Sequence, residues 1–259
     1  MENIISNINN IAKKMKFIKY IILLIILKNV LLLSGNNIIH NARALSTNSE
    51  ITITINGTGD QTFLNTKRIK LNNINYEFPY RPSEVLVDGE LVNNTLYYVN
   101  GLKNNFTNIT IRFNTSIDNL NVMFYGLKNI TNIYFENFDT SQVTSMRSMF
   151  AECTSLISLN LSDFNTESVE DMNQLFYNCK SLESLELNNL NTSKVKSMDE
   201  MFSGCNKLTS LNIESFDTSS VTSMNRLFKN CNSLKEIIFN YMNTSLIQSM
   251  EEMFYSCKA

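Results

Sequence analysis

Five cysteines stand at positions 153, 179, 205, 231 and 257, one every 26 residues, and the chain has no others. Met146, Met172, Met198, Met224 and Met250 keep the same step, as do Phe150, Phe176, Phe202, Phe228 and Phe254. Thr140, Thr166, Thr192, Thr218 and Thr244 form a further column. A fixed period of about 20 to 50 residues marks a stacked array in which each unit buries its apolar side only against its neighbours. A chain of this kind is mostly surface, and its usual work is binding.

The unit from 165 to 190 shows what each repeat holds. Val169, Met172, Leu175, Phe176 and Cys179 fall at steps of three and four, which predicts a helix with one inward stripe. Thr166 is placed to cap that helix, and Glu167 suits its positive start. After Cys179 the pattern changes: Leu185 and Leu187 alternate with Ser184, Glu186 and Asn188, which predicts a short strand with one buried face. One helix and one strand per unit predicts an α/β fold, with parallel strands in one sheet and helices behind it. Shifting back by 26 sets Leu127 under Cys153, Phe124 under Phe150, Ile130 under Leu156 and Ile133 under Leu159. A still earlier echo pairs Gly101-Leu102-Lys103-Asn104 with Gly126-Leu127-Lys128-Asn129, so about six strand-bearing units run from residue 106 onward.

Residues 45–105 read differently. Ile51-Thr52-Ile53-Thr54-Ile55 is an alternating strand, and Asp88-Gly89 suits a hairpin turn. This stretch is expected to form a small β-rich cap on the stack at 106–259. The chain stops just after Cys257 without the polar cap that terminal repeats need, so the stack is expected to be incomplete there.

Leu156-x-x-Leu159-x-Leu161 looks like the strand segment of a leucine-rich repeat. The longer string FNTESVEDMNQLFYNCKSLESLEL (164–187) resembles the BspA-like leucine-rich-repeat family, a 26-residue repeat of bacterial surface proteins also found in microbial eukaryotes. Its recurring phrase stands at 138–153 as FDTSQVTSMRSMFAEC and at 216–231 as FDTSSVTSMNRLFKNC. The lead-in ITITINGTGDQTFLN (51–65) is similar to that of eukaryotic members. The resemblance implies a leucine-rich-repeat solenoid of strand-plus-helix units and a role in adhesion to host, matrix or neighbouring cells. One departure is that the position usually held by an Asn or Cys ladder carries Phe138, Phe164, Leu190, Phe216 and Met242, giving an apolar spine.

Residues 1–44 resemble a targeting segment. Lys13, Lys14, Lys16 and Lys19 precede the apolar run from Tyr20 to Leu27, and Ala42-Arg43-Ala44 offers a signal-peptidase site. Met15 is an alternative start. The rival reading is an uncleaved membrane anchor, against which Lys28 interrupts an apolar stretch that would need about 20 residues. The expected location is secreted or cell-surface, with membrane contact only if this segment stays attached. Its removal takes 6 of the 22 basic and 1 of the 24 acidic residues, leaving a net charge of −7. A chain so acidic is not built for nucleic acid.

The candidate sites follow from the repeat. No C-x-x-C occurs and the one histidine, His40, lies in the leader, so no metal ligand set is expected. Neighbouring cysteines would stack about 5 Å apart, within disulfide reach, but their parallel side chains suit bridging poorly. Buried thiols are the preferred reading, since Leu127 fills the same slot one unit earlier. The methionine and phenylalanine columns read as core. No GxSxG, P-loop or GxGxxG is present, so neither a catalytic residue nor a cofactor is expected. The outward strand positions are the candidate interaction face: Tyr134, Glu136, Ser158, Ser184, Glu186, Ser210, Asn212, Glu214, Glu236 and Ile238. Protein or glycan ligands on cell or matrix surfaces are the expected partners. The alternatives are a self-associating coat or wall component and a carbohydrate-processing enzyme. Nine N-x-S/T sequons begin at Asn56, Asn93, Asn105, Asn108, Asn114, Asn129, Asn160, Asn191 and Asn243. Asn108 and Asn160 fall on the strand face, where a glycan would obstruct it.

Overall fold

The computed structural model describes residues 49–258, apart from 66, 72 and 93–96. The chain divides into two units, 1–47 and 48–259. The leader read at 1–44 and the sequon at Asn93 lie outside the described residues.

In chain order the strands are β1 (Ser49–Asn56), β2 (Gly59–Thr62), β3 (Ile69–Leu71), β4 (Ile74–Tyr76), β5 (Glu84–Val87), β6 (Glu90–Leu91) and β7 (Tyr98–Leu102). Then come β8 (Phe106–Phe113), β9 (Ile130–Glu136), β10 (Ser158–Asn160), β11 (Ser184–Glu186), β12 (Ser210–Asn212) and β13 (Glu236–Ile238). Seven of them form one sheet in the order β11-β10-β9-β1-β8-β5-β6, while β12-β13, β2-β7 and β3-β4 form two-stranded sheets. Strands β9, β10 and β11 run parallel, one per repeat, with Leu159 opposite Ile133 and Leu185 opposite Leu159.

There is no α-helix among the described residues, which overturns the expected α/β leucine-rich-repeat solenoid of strand-plus-helix units. The fold is β-rich, and a run of tight turns replaces each helix. The hydrogen bonds explain why. In the unit that holds Cys153, the N–H groups of Met146, Ser148, Phe150 and Glu152 donate out of the unit, to the carbonyls of Asp171, Asn173, Leu175 and Tyr177 at 2.7–3.0 Å. Only the alternate amides, of Met149, Ala151 and Cys153, close turns on Met146, Ser148 and Phe150. An α-helix would spend all of them on its own turns. Left-handed backbone at Ser148 (φ 53°) and Glu152 (φ 62°) stops any helix from propagating, because an L-residue chain does not continue a right-handed helix through φ above zero. The same kink recurs at Gln174, Glu200, Arg226 and Glu252. Consecutive tight turns also return every third or fourth side chain to one side, so the apolar spacing of a helix is reproduced without one.

Two further expectations change. Thr166 caps no helix: it is buried, and its Oγ1 donates to the carbonyl of Asn191 one unit on, at 2.8 Å. Thr140, Thr192 and Thr218 do the same to Asn165, Asp217 and Asn243. The strand at 106–113 is not the first of the parallel row either. β1 inserts between β8 and β9 and pairs antiparallel with both.

Packing follows from the columns. Phe124, Phe150, Phe176, Phe202 and Phe228 are buried, and with Phe254 their rings lie nearly parallel with centroids 5.3–5.7 Å apart. Burying each ring contributes about 1.5–3 kcal/mol, and each ring pair adds about 0.5–1.5 kcal/mol. The apolar spine of Phe138, Phe164, Leu190 and Phe216 is buried beside them. On the far side, isolated parallel bridges from Asn119 to Ser145, Asp171, Ser197, Ser223 and Ser249 join the units one after another. Ile51, Ile53 and Ile55 of β1 and Ile109, Ile111 and Phe113 of β8 extend the same core. That core fixes which side chains of the large sheet point outward.

Candidate functional site

Alternation does the positioning. With Ile51, Ile53 and Ile55 inward, β1 turns Glu50, Thr52 and Thr54 outward, and the antiparallel register sets them beside Arg112, Thr110 and Asn108 of β8. On the other flank Thr52 faces Tyr134, Thr54 faces Asn132 and Glu50 faces Glu136. The parallel strands carry the rows on, Asn132 to Ser158 to Ser184 and Asn160 to Glu186. One continuous polar surface therefore crosses β11, β10, β9, β1 and β8.

Hydrogen bonds tie neighbouring side chains across it. Thr54 Oγ1 donates to Asn108 Oδ1 at 2.8 Å, Asn132 Nδ2 donates to Ser158 Oγ at 3.1 Å, and the Thr52 and Thr110 hydroxyls meet at 3.2 Å. At one edge Arg112 donates to Glu50 at 2.7 Å and to Glu84 at 2.8 Å. Those two bonds hold its guanidinium more firmly protonated than usual. Glu136 completes that row and leaves it acidic. Tyr134 stands out from the polar background with 56 % of its surface exposed.

The face expected from the sequence divides between two sheets. Tyr134, Glu136, Ser158, Ser184 and Glu186 lie on the seven-stranded sheet, each exposed or half-buried. Ser210, Asn212, Glu236 and Ile238 lie on the β12-β13 pair, with Glu214 just beyond β12. Sequence reasoning missed Glu50, Thr52, Thr54 and Glu84. The signal for the first three was the strict alternation around Ile51-Thr52-Ile53, whose length matches Phe106–Phe113. Among the described sequons, Asn56, Asn105, Asn108, Asn114, Asn129, Asn160 and Asn191 are exposed and Asn243 is half-buried. Asn108 is already engaged by Thr54 on the sheet face.

The thiols face away from this surface. Cys153, Cys179, Cys205 and Cys231 are fully buried and unpaired, and Cys257 is half-buried. Each S–H donates to a phenylalanine carbonyl of the preceding unit, Cys153 to Phe124 at 3.0 Å and Cys179 to Phe150 at 3.1 Å. Burial pushes the Cys153 and Cys231 thiols up to about 12, and those of Cys179 and Cys205 well above their ordinary range. They are neutral packing groups at physiological pH. Among the described residues no His, Cys, Asp and Glu group is arranged to hold a metal ion. No helix among them is long and apolar enough to cross a membrane.

Neither a curated protein nor a solved structure matches the chain. One family model does, over residues 94–185 and again over 157–259, two overlapping passes that follow the columns of stacked units. Together these passes span most of the chain, and it belongs to the family described as Mycoplasma protein of unknown function, DUF285.

Proposed function

We propose that this is an exported, non-catalytic protein that works by contact, its polar sheet face engaging protein or glycan ligands on cell or matrix surfaces. The observation that carries this reading is the unbroken row structure across five strands. An exposed Tyr134 stands at its middle, with Thr52 on one side and the acidic pair Glu50 and Glu136 beside it. A rigid aromatic ring in a hydrogen-bonding surround is the usual anchor of an interaction surface. Serines and asparagines at Ser158, Ser184, Ser210 and Asn212 repeat along the stack, which suits many weak contacts acting together. The resemblance to the BspA-like repeat points to the same adhesion-like role.

The test overlays labelled full-length protein on intact cells and matrix, followed by crosslinking to identify what it touches. Tyr134→Ala and Ser184→Arg are expected to weaken retention about tenfold each while the melting temperature stays unchanged. Equal retention by parent and variants would refute the reading. So would surface labelling of producing cells that finds the protein only in the cytosol.

A further inference from the structure

Two Asn-Gly steps fall among the described residues, Asn56-Gly57 and Asn100-Gly101, and the fold treats them differently. Strands β2 and β7 pair antiparallel, with Gly59 facing Leu102 but Gln61 facing Val99. Asn100 and Gly101 therefore stand together opposite the single residue Asp60. This is a β-bulge, one extra residue pushed out of the ladder. Its glycine takes left-handed backbone, with φ of 63°. The Gly101 N–H donates to the Asp60 carboxylate, 3.0 Å from Oδ1.

Access favours the same step. Asn100 is exposed, and nothing lies within 4 Å of where a Cβ on Gly101 would stand, so this stretch of backbone is open to reaction. The other step is built otherwise. Asn56 sits in the regular ladder of β1, opposite Phe106. The Gly57 N–H donates to the neutral carbonyl of Asn105 at 2.7 Å, and a Cβ there would meet Gln61 Nε2 at 3.1 Å.

We propose that Asn100-Gly101 is a self-modifying site at which Asp60 acts as general base for deamidation of Asn100. Asp60 already accepts the proton that must leave, which is the geometry a general base needs. The Gly101 nitrogen bonds to Asn100 Cγ as its proton passes to the carboxylate. The bond from Cγ to the side-chain nitrogen then breaks, and that nitrogen takes the proton back from Asp60 and leaves as ammonia. The product is a succinimide ring. Water opens it at Cγ to leave an aspartyl link, or at the main-chain carbonyl to leave an isoaspartyl link that carries one extra methylene in the backbone. Either product sets a new carboxylate beside Asp60, where like charges repel. The isoaspartyl product also lengthens the chain between Val99 and Leu102, both buried in the core. Conversion therefore loosens the β2-β7 pair, once and irreversibly. The site lies on a different sheet from the polar face and does not depend on it.

The test incubates the full chain near neutral pH in water labelled with heavy oxygen and follows both Asn-Gly peptides by mass spectrometry. Conversion at Asn100 is expected to run about tenfold or more faster than at Asn56, and to slow by a similar factor in Asp60→Asn. That variant keeps the accepting oxygen but not the base, and melting curves confirm that it folds. The comparison of the two steps, and of folded with denatured chain, needs no variant. Denaturant should bring the two steps to one common rate, and the melting temperature of the folded chain should fall in step with conversion. Equal rates at Asn100 and Asn56 in the folded chain would overturn the proposal. So would an undiminished rate in folded Asp60→Asn, or a denatured chain that converts Asn100 as fast as the folded one.

Discussion

The sulfurs of Cys153, Cys179, Cys205 and Cys231 each rest against the carbonyl of a phenylalanine one unit back, in a site that water does not reach. Burial would strip a thiolate there of water, which raises the Cys153 thiol from an ordinary 9.0 to about 12, with the nearby Glu152 charge adding to the effect. The folded-state value lies above the unfolded one. The stability conferred by the neutral thiol is therefore full below about pH 9 and is lost as pH rises toward 12. Denaturant midpoints measured across that range should fall, and a flat profile would contradict the assignment. A disulfide-exchange reagent near neutral pH should modify half-buried Cys257 first, and the other four only as the chain unfolds. The phenylalanine column answers a different question. Phe176 stacks on Phe150 and Phe202 at 5.6 Å on each side, so Phe176→Ala opens a cavity between two rings. The expected loss is about 3–5 kcal/mol in chemical denaturation. These roles were legible in the sequence because Cys, Met and Phe each recur at one phase of the period, and a slot that accepts Leu127 must be a packing slot.

The turn run between Met146 and Cys153 is where sequence reasoning went astray, for a physical reason. Steps of three and four at Val169, Met172, Leu175 and Cys179 satisfy a helix and a chain of tight turns equally well. The discriminating fact is a left-handed backbone at Ser148, Gln174, Glu200, Arg226 and Glu252, and none of those residue types announces it. Gly126 and Gly204 were the available hints, falling in phase at the second kink of their units with φ of 72° and 79°. Gly204 has a further constraint. A Cβ added there would sit 2.2 Å from Asn178 Oδ1, which can swing aside, and 3.2 Å from Asn178 Cα, which cannot. At Gly126 nothing lies within 4 Å. Gly126→Ala should therefore cost only the backbone strain, about 1–2 kcal/mol. Gly204→Ala should cost that plus the crowding, about 1 kcal/mol or more beyond it. Equal melting losses for the two variants would remove the steric argument. The insertion of β1 beside β9 was equally hidden. Alternation told that Ile51, Ile53 and Ile55 face a core, but nothing local told which strands would flank them.

Across the whole molecule, stability is a sum of junctions between neighbours more than a property of one centre. Hydrogen exchange should map it. Amides that donate across a junction, such as those of Phe150, Phe176 and Phe202, should be among the slowest to exchange. Fast exchange at all three would argue against stability carried by the junctions. The same uniformity of contact has a genetic consequence. Because every junction repeats the Thr-to-carbonyl, Phe-on-Phe and thiol-to-carbonyl contacts of the one before, a recombination event that removes or duplicates one whole period rejoins surfaces that already match. Slippage by any other length sets phenylalanine against threonine and kinked backbone against straight. Lineages carrying this chain can therefore vary its reach in whole steps, lengthening or shortening the molecule without redesigning its interior.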